Sequence, residues 1–212
     1  MAIRIVVADD ADLVIEGVKS VLTTDHRFVL VGTARCIDDL LETIEAVPPD
    51  VVVLGEWIYN LDILSAVEEV QRVCGGLKII VIGGLVDGLL IRDLFRVGVS
   101  AYLYKSDDLC GLLGTAIDTV LLDRPYLSPT ANAEYLVAMQ SPLRDWQLDT
   151  EARAMLRLLM QGLHIADIAR QMDIPMRRAY FLRYKLKQRF GATTNEHLIS
   201  RAMAEGFATT DA

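Results

Sequence analysis

The stretch from Pro49 to Trp57 reads PDVVVLGEW, a short apolar run that an aspartate precedes and a glycine closes. A valine-rich run of this length is typical of a central strand that a parallel sheet buries on both faces. In an open α/β sheet, ligands and chemistry lie just beyond the carboxyl ends of such strands. Gly55 therefore occupies the position at which a reactive side chain is expected.

Other apolar runs of strand length surround this one within residues 1–124. They cover residues 3–8, 28–32, 79–82 and 101–104. Stretches with helical spacing of apolar residues follow the runs, at about residues 12–23, 37–46, 61–73, 86–97 and 107–122. This alternation predicts five βα units, and hence a parallel sheet with helices on both faces.

Residues 125–212 do not continue the alternation. Prolines and serines interrupt residues 125–147, which we interpret as a linker with a short helix at about 131–139. Residues 148–212 show only helical patterns. Pro175 suits the first turn of a basic helix that Gly191 ends, and a short helix precedes it, so the pattern predicts a helix-turn-helix. Thr193 and Glu196 have the spacing of a capping box at the start of a further helix.

The net charge of -8 is unevenly divided along the 212 residues. Residues 1–124 carry 10 Lys and Arg against 20 Asp and Glu, a net charge of -10, whereas residues 146–212 carry 10 against 7, a net charge of +3. We therefore expect two domains, and only the second is suited to a polyanion.

Several classes of protein do not fit the sequence. No apolar run reaches the ~20 residues of a membrane span, and the first residues lack the layout of a signal peptide. We therefore expect no membrane partner and a cytoplasmic location. The cysteines form no C-x-x-C pair, which indicates reduced thiols and no metal site. The histidines lie far apart with no nucleophile beside them, so we expect neither an enzyme nor a cofactor.

Six short motifs follow one another in a recognisable order. They are Val7–Asp10, Pro49–Leu54, Gly98–Lys105, Leu156–Leu163, Asp167–Ile174 and Arg189–Gly191. With these motifs the chain resembles a response regulator of the NarL/FixJ type, a two-component protein in which a receiver domain precedes a LuxR-type helix-turn-helix. The resemblance implies a flavodoxin-like α/β receiver over residues 1–124, with a parallel sheet in the order 2-1-3-4-5. It also implies an all-α, four-helix DNA-binding domain over residues 148–212.

The resemblance further implies a phosphorylation pocket. In such receivers an acidic pair holds Mg²⁺, and an aspartate that ends strand 3 accepts the phosphoryl group. A Thr or Ser after strand 4 and a Lys after strand 5 bind that group. Asp9 and Asp10 match the acidic pair, Lys105 matches the lysine, and Tyr102 matches an aromatic switch position three residues before it.

Two glycines stand where this chemistry needs side chains. Gly55 occupies the acceptor position and Gly83 the Thr/Ser position. Covalent transfer needs a carboxylate nucleophile, so position 55 cannot be phosphorylated. The loss of one carboxylate also weakens a Mg²⁺ site, and we predict no metal. Because side chains alternate along a strand, Glu56 is predicted to point away from Asp9 and Asp10, unless a bulge re-aims it.

The remaining groups, Asp9, Asp10 and Lys105, would surround a vacant position. Since close carboxylates favour a nearby cation, Lys105 is expected to pair with one of the acids. Two interpretations stay open. The internal pair imitates the phosphorylated state, or the pocket is a relic without a signalling role.

Residues 85–95 are apolar around most of a helix rather than along one stripe. Such a helix is usually covered on more than one side, and large apolar patches mark interfaces. We therefore predict a receiver homodimer that needs no phosphate, through the face that contains Leu85, Val86, Leu89 and Leu90. Ordinary core packing is the alternative.

The helix at residues 177–189 holds six basic residues and no acid. Its wheel places an apolar stripe inward and leaves Phe181 and the tyrosines facing out. Outward side chains would enter the major groove, and flanking cations such as Arg178 would contact phosphates. An exposed Phe181 would need a cover, from DNA or protein. The residues predicted to bind double-stranded DNA are Arg177, Arg178, Tyr180, Phe181, Arg183, Tyr184, Lys185, Lys187, Gln188 and Arg189.

These features predict a DNA-binding transcription regulator that works without phosphorylation and dimerises through a degenerate receiver. The alternative is a protein-interaction module, or anti-regulator, whose basic and aromatic helix binds a protein partner. Salt-dependent affinity for a duplex distinguishes the two, because counterion release makes DNA binding weaken as salt rises.

Overall fold

The computed structural model describes residues 2–58, 61–84, 87–140 and 150–204. These residues divide between two compact units, Met1–Gln140 and Ser141–Ala212. The division follows the change in charge and pattern along the sequence, but it comes later than the predicted end of the first domain at residue 124.

The first unit is built on a parallel sheet. Its strands are β1 (Ile3–Ala8), β2 (Phe28–Ala34), β3 (Val51–Gly55), β6 (Lys78–Gly83), β7 (Ala101–Tyr104) and β8 (Tyr126–Leu127). A separate antiparallel pair, β4 (Trp57–Ile58) and β5 (Leu61–Asp62), follows β3. The described strands of the sheet are ordered β2-β1-β3-β6-β7-β8. The predicted order is thus confirmed for the first five strands, and a sixth strand extends it.

Helices pack on the sheet because both of its faces are apolar. They are α1 (Asp12–Leu22), α2 (Ile37–Ala46), α3 (Ile63–Val73), α4 (Gly88–Arg96), α5 (Leu109–Leu121) and α6 (Pro129–Gln140). On one face Val7 packs with Ile15 of α1 and Ile117 of α5. Val6, which points to the opposite face, is also fully buried. This double burial explains why the central strands read as unbroken apolar runs.

The interpretation of residues 125–147 as a linker needs correction at residues 126–140, whereas residues 141–147 lie outside the described residues. The backbone N–H of Tyr126 donates to the carbonyl of Ser100 at 3.1 Å, and that of Ser128 donates to the carbonyl of Tyr102 at 3.1 Å. Residues 126–127 are thereby bound to β7 as strand β8. The prolines that suggested a linker flank a short edge strand, and Pro129 opens α6, where a missing N–H costs nothing.

The second unit is helical. It contains α7 (Thr150–Met160), α8 (Ile165–Gln171), α9 (Met176–Arg189) and α10 (Asn195–Ala204). The helix-turn-helix is formed by α8 and α9, with Asp173 in the left-handed region (φ 51°) between them. The capping prediction is one residue early. Thr194, not Thr193, precedes α10, and its Oγ1 accepts a hydrogen bond of 3.1 Å from the N–H of His197.

Candidate functional site

The pocket lies where the carboxyl ends of four parallel strands meet. Gly55 is the last residue of β3 and Gly83 the last of β6, while Asp9 and Lys105 directly follow β1 and β7. The structure therefore brings the predicted pocket residues to one edge of the sheet. Their side chains do not, however, leave a vacant position.

The carboxyl group of Asp9 occupies the space of the missing acceptor. Asp9 is fully buried, and its Oδ1 accepts a hydrogen bond of 2.8 Å from the N–H of Ala11. A Cβ added to Gly55 would lie 2.9 Å from the Cβ of Asp9 and would overlap its carboxylate. Cβ atoms in real proteins essentially never approach so closely. Asp9 in this position therefore requires a glycine at position 55.

The ring of Tyr102 fills the second gap in the same way. Tyr102 is fully buried, and a Cβ added to Gly83 would lie 2.6 Å from its Cζ and would overlap its hydroxyl group. Burial raises the pKa of the Tyr102 phenol well above its ordinary value, and the nearby carboxylates of Glu56 and Asp87 raise it further. The phenol is thus held inward in its neutral form.

Glu56 turns into the pocket, contrary to the prediction. Strand β3 ends at Gly55 and Glu56 forms a bend, so the alternation of side chains along a strand does not extend to it. Glu56 is only 5% exposed, and its Oε2 accepts a hydrogen bond of 2.7 Å from the N–H of Gly84. The sequence signal for this turn was Gly55 itself, because glycine often marks a bend in a strand.

The side chain of Lys105 lies beside the same loop as Glu56. The ion pair of Lys105 with Asp9 or Asp10 stays a prediction. A Cβ added to Gly84 would lie 3.5 Å from Oε2 of Glu56 and 3.9 Å from Cδ of Lys105. The side chains of Glu56 and Lys105 therefore approach the same glycine.

The residues present do not fit a Mg²⁺ ion. Mg²⁺ demands near-octahedral oxygen ligands, but Asp9 directs one oxygen to the N–H of Ala11 and fills the space at Gly55 with the rest of its carboxylate. Within the described residues, no three His, Cys, Asp or Glu side chains are grouped so that they could hold a metal. Position 55 thus carries no side chain, and the carboxylate of Asp9 is directed to the N–H of Ala11 and to the space beside Gly55.

Helix α4, the predicted dimer face, is covered within its own unit. A Cβ added to Gly88 would lie 2.5 Å from the Cβ of Ala138 on α6, so the two helices meet almost backbone to backbone. Phe95 of α4 packs on Tyr135 of α6 with ring centroids 6.4 Å apart. The α6 helix, absent from the predicted domain, therefore takes the place that a second copy was expected to fill.

The four residues predicted for that face can be placed only in part. Leu90 is 3% exposed, so its predicted role on an open surface is wrong. Leu85 and Val86 lie outside the described residues, as does the side chain of Leu89. Core packing, the alternative interpretation, accounts for Leu90.

A hydrogen-bond network ties α6 to the loop that carries Lys105. The backbone N–H and the hydroxyl of Thr130 donate to the Asp107 carboxylate at 3.1 and 2.6 Å. The hydroxyl of Ser128 accepts from the N–H of Tyr104 at 2.9 Å. Burial opposes ionisation of Asp107, but hydrogen bonds from Ser128 and Thr130 hold its pKa below the ordinary value.

Helix α9 carries the predicted DNA-binding residues, and its inward side is packed in the core of the second unit. Ala179, Leu182 and Leu186 are fully buried, as the helical wheel predicts. Six basic residues and no acid lie along the helix, and the guanidinium of Arg183 stacks 4.9 Å from the centre of the Tyr180 ring. The side chains of the predicted set other than Phe181 are at least partly exposed.

Phe181 is the exception, and its predicted outward position is wrong. Phe181 is 7% exposed, so it needs no cover from DNA or from a partner. The reason is that α9 packs against both α7 and α8, which makes its buried face wider than one stripe. Arg178 lies 5.5 Å above the Phe181 ring, and its Nε donates to Glu151 of α7 at 3.0 Å. Arg178 thus anchors α9, and a phosphate contact by it stays a prediction.

No model of a known protein family matches the chain, although individual proteins match it over nearly its whole length. The response regulator GacA of Pseudomonas aeruginosa is 24% identical over 208 residues, which are 96% of this chain and 97% of GacA. The transcriptional regulatory protein MctR of Rhizobium johnstonii is 25% identical, over 98% of this chain and 96% of MctR. The chain thus resembles response regulators. Its relatives are named as regulators and not as enzymes.

Solved structures agree on the fold. A LuxR-family response regulator from an Aurantimonas species superposes with a TM-score of 0.63 at 22% identity, over 66% of this chain and 99% of that one. RcsB of Salmonella enterica serovar Typhimurium, whose structure was solved bound to a promoter, superposes with a TM-score of 0.63 at 15% identity. The superposition covers 95% of this chain and 98% of RcsB. The predicted fold class, a flavodoxin-like receiver followed by a helical helix-turn-helix domain, is confirmed. None of the helices in the described ranges has the length and apolar character to cross a membrane.

Proposed function

We propose that this protein is a DNA-binding transcription regulator that works without phosphorylation. The observation that carries the proposal is the position of Asp9, whose carboxylate takes the space where an acceptor side chain would have to stand. A receiver filled in this way has no reaction with a phosphoryl donor, so its state does not depend on one. The domains are an acidic receiver-like unit and a basic helix-turn-helix unit.

The surface of α9 supports DNA as the partner. Residues 150–204 carry ten Lys and Arg against four Asp and Glu, and six of the basic residues lie on α9. Cations on the flanks of such a helix suit phosphates, and Tyr180, Arg183 and Tyr184 have groups that hydrogen-bond base edges. Because Phe181 is buried, the main reason for the alternative protein-binding function is removed.

A titration of duplex DNA, followed by fluorescence anisotropy at several salt concentrations, tests this proposal. Affinity should fall steeply with salt, and Lys185→Ala should make the slope of log K against log salt shallower by about 0.9, the value for one lost phosphate contact. Arg157→Ala, at an exposed position on α7, is the control and should leave the slope unchanged. Acetyl phosphate should not alter affinity relative to inorganic phosphate, with the same Mg²⁺ concentration and ionic strength in both samples.

Two results would count against the proposal separately. Absence of salt-dependent affinity for any duplex would exclude DNA as the partner and favour the protein-binding alternative. A rise in affinity on addition of acetyl phosphate, together with a phosphoryl adduct, would exclude phosphate independence.

Homodimerisation is part of the proposal, but it does not rest on α4. The outward side of α6 carries Leu136, Val137 and Met139, which are 47%, 41% and 40% exposed. Contiguous exposed apolar side chains mark interaction surfaces. Residues 1–140 carry 10 Lys and Arg against 21 Asp and Glu, so two such units repel each other. Two such units therefore approach each other with the least electrostatic repulsion through an uncharged apolar face.

A further inference from the structure

Glu56 is an acidic side chain that enters the pocket, contrary to the position that strand alternation predicted for it. It is 5% exposed, it follows the central strand directly, and no part of the proposed DNA surface uses it. Burying a carboxylate costs free energy unless hydrogen bonds and nearby cations compensate. Its partners therefore indicate what the buried charge does.

One partner is the backbone of the loop between β6 and α4. The N–H of Gly84 donates to Oε2 of Glu56 at 2.7 Å, the length of a charge-assisted hydrogen bond. Gly84 directly follows β6, and α4 begins four residues later at Gly88. A carboxylate that holds Gly84 therefore fixes the point at which the chain leaves the sheet for α4.

The loop after β7 lies beside the same glycine. The Cδ of Lys105 and the Oε2 of Glu56 approach the same point beside Gly84, and the backbone N–H of Lys105 donates to the carbonyl of Gly83 at 2.8 Å. A backbone N–H that donates to an anionic group, as that of Gly84 does, is a usual component of an anion site. In this chain the anion comes from the chain itself.

We propose that the Glu56 carboxylate is the built-in anionic ligand of this pocket, and that it holds the backbone of Gly84 in place in the absence of phosphate. This inference rests on the proposed function for its biological meaning, because it supplies the means by which the receiver keeps one state. Glu56 acts here as a positioning residue, since it touches neither DNA nor a substrate.

The test measures hydrogen exchange of the Gly84 amide by NMR in the full-length protein. Glu56→Ala should accelerate exchange about tenfold or more, because a hydrogen bond to a charged group is lost. Glu56→Gln keeps an acceptor of the same shape without the charge and should give an intermediate rate. Glu68→Ala, which removes an exposed carboxylate on α3, is the matched control and should leave Gly84 unchanged.

Anion rescue separates a ligand from a packing contact. Sodium acetate should restore protection of Gly84 in Glu56→Ala, relative to sodium chloride at the same ionic strength, and should not affect the wild type. Unchanged exchange at Gly84 in either Glu56 variant would overturn the proposal. So would lost protection that acetate does not restore, because Glu56 would then be a packing contact only. If Glu56→Ala does not fold, the rate in Glu56→Gln decides.

DNA affinity measured on the same samples keeps the two proposals distinct. If the wild type shows no salt-dependent DNA binding while acetate rescues Gly84 in Glu56→Ala, the proposed function fails and the role of Glu56 stands. If DNA binding is present but Gly84 does not respond to Glu56, the role of Glu56 fails alone.

Discussion

The carboxylate of Asp9 lies in the space that a side chain at position 55 would need. We expect Gly55→Asp, the substitution that restores an acceptor to the sequence, not to restore phosphorylation. A new Cβ would lie 2.9 Å from the Cβ of Asp9, and rotation about χ1 of Asp9 cannot relieve that contact. Overpacking of this kind costs about 1–3 kcal/mol of unfolding free energy. Urea unfolding and intact mass after treatment with acetyl phosphate and Mg²⁺ measure both effects.

Gly17→Asp is the control for that experiment. Position 17 is also a glycine, but a Cβ there would meet no atom within 4 Å, so only helix propensity and surface charge change. A stable Gly55→Asp protein that carries a phosphoryl group would show that Asp9 moves aside readily, and the pocket would then be a dormant site rather than a filled one.

Helix α6 is the element whose role was least visible in the sequence, and its attachment should depend on pH. Hydrogen bonds hold the pKa of Asp107 below its ordinary value, so the ionised form stabilises the docked helix. This stabilisation is present above the unfolded pKa of about 3.9 and is lost as pH falls through the lower folded value. Hydrogen exchange of residues 129–140, corrected for intrinsic rates, should accelerate over that range.

Asp107→Asn should accelerate exchange of α6 near neutral pH and remove most of its acid response. Asp38→Asn, at an exposed position on α2, should leave both unchanged. Equal acid responses in the wild type and in Asp107→Asn would mean that other carboxylates release the helix.

The helices and strands could be predicted well from the sequence where the spacing of apolar residues alone determined them. Predicted and observed boundaries of the first five sheet strands and of α1–α5 differ by a few residues at most, because doubly buried strands and amphipathic helices have different apolar periods. Prolines misled the interpretation near residue 125, since the same residue marks a linker, an edge strand or a first helical turn. The orientations of Glu56 and Phe181 depend on a bend and on a second packing partner, and neither has a periodic signal.

At the scale of the whole molecule, the outward face of α6 should decide the oligomeric state. We expect a dimer in sedimentation equilibrium, and Leu136→Glu should shift it toward monomer because it places charge on an apolar contact between acidic units. Affinity for a duplex with two half-sites should fall in parallel. Leu13→Glu changes a leucine that is 85% exposed on α1 and serves as the control. A dimer that survives Leu136→Glu but not Leu13→Glu would place the interface on α1 instead.

Strand β8 limits where the chain can be truncated to obtain an isolated first unit. A fragment cut at residue 124 would lose the two-residue strand that shields β7 and the helix that covers α4. Unshielded strand edges and bare apolar helices promote self-association between copies. Self-association of such a fragment would result from the truncation. A fragment that ends at Gln140 keeps the edge of the sheet and α4 covered, as they are in the intact chain.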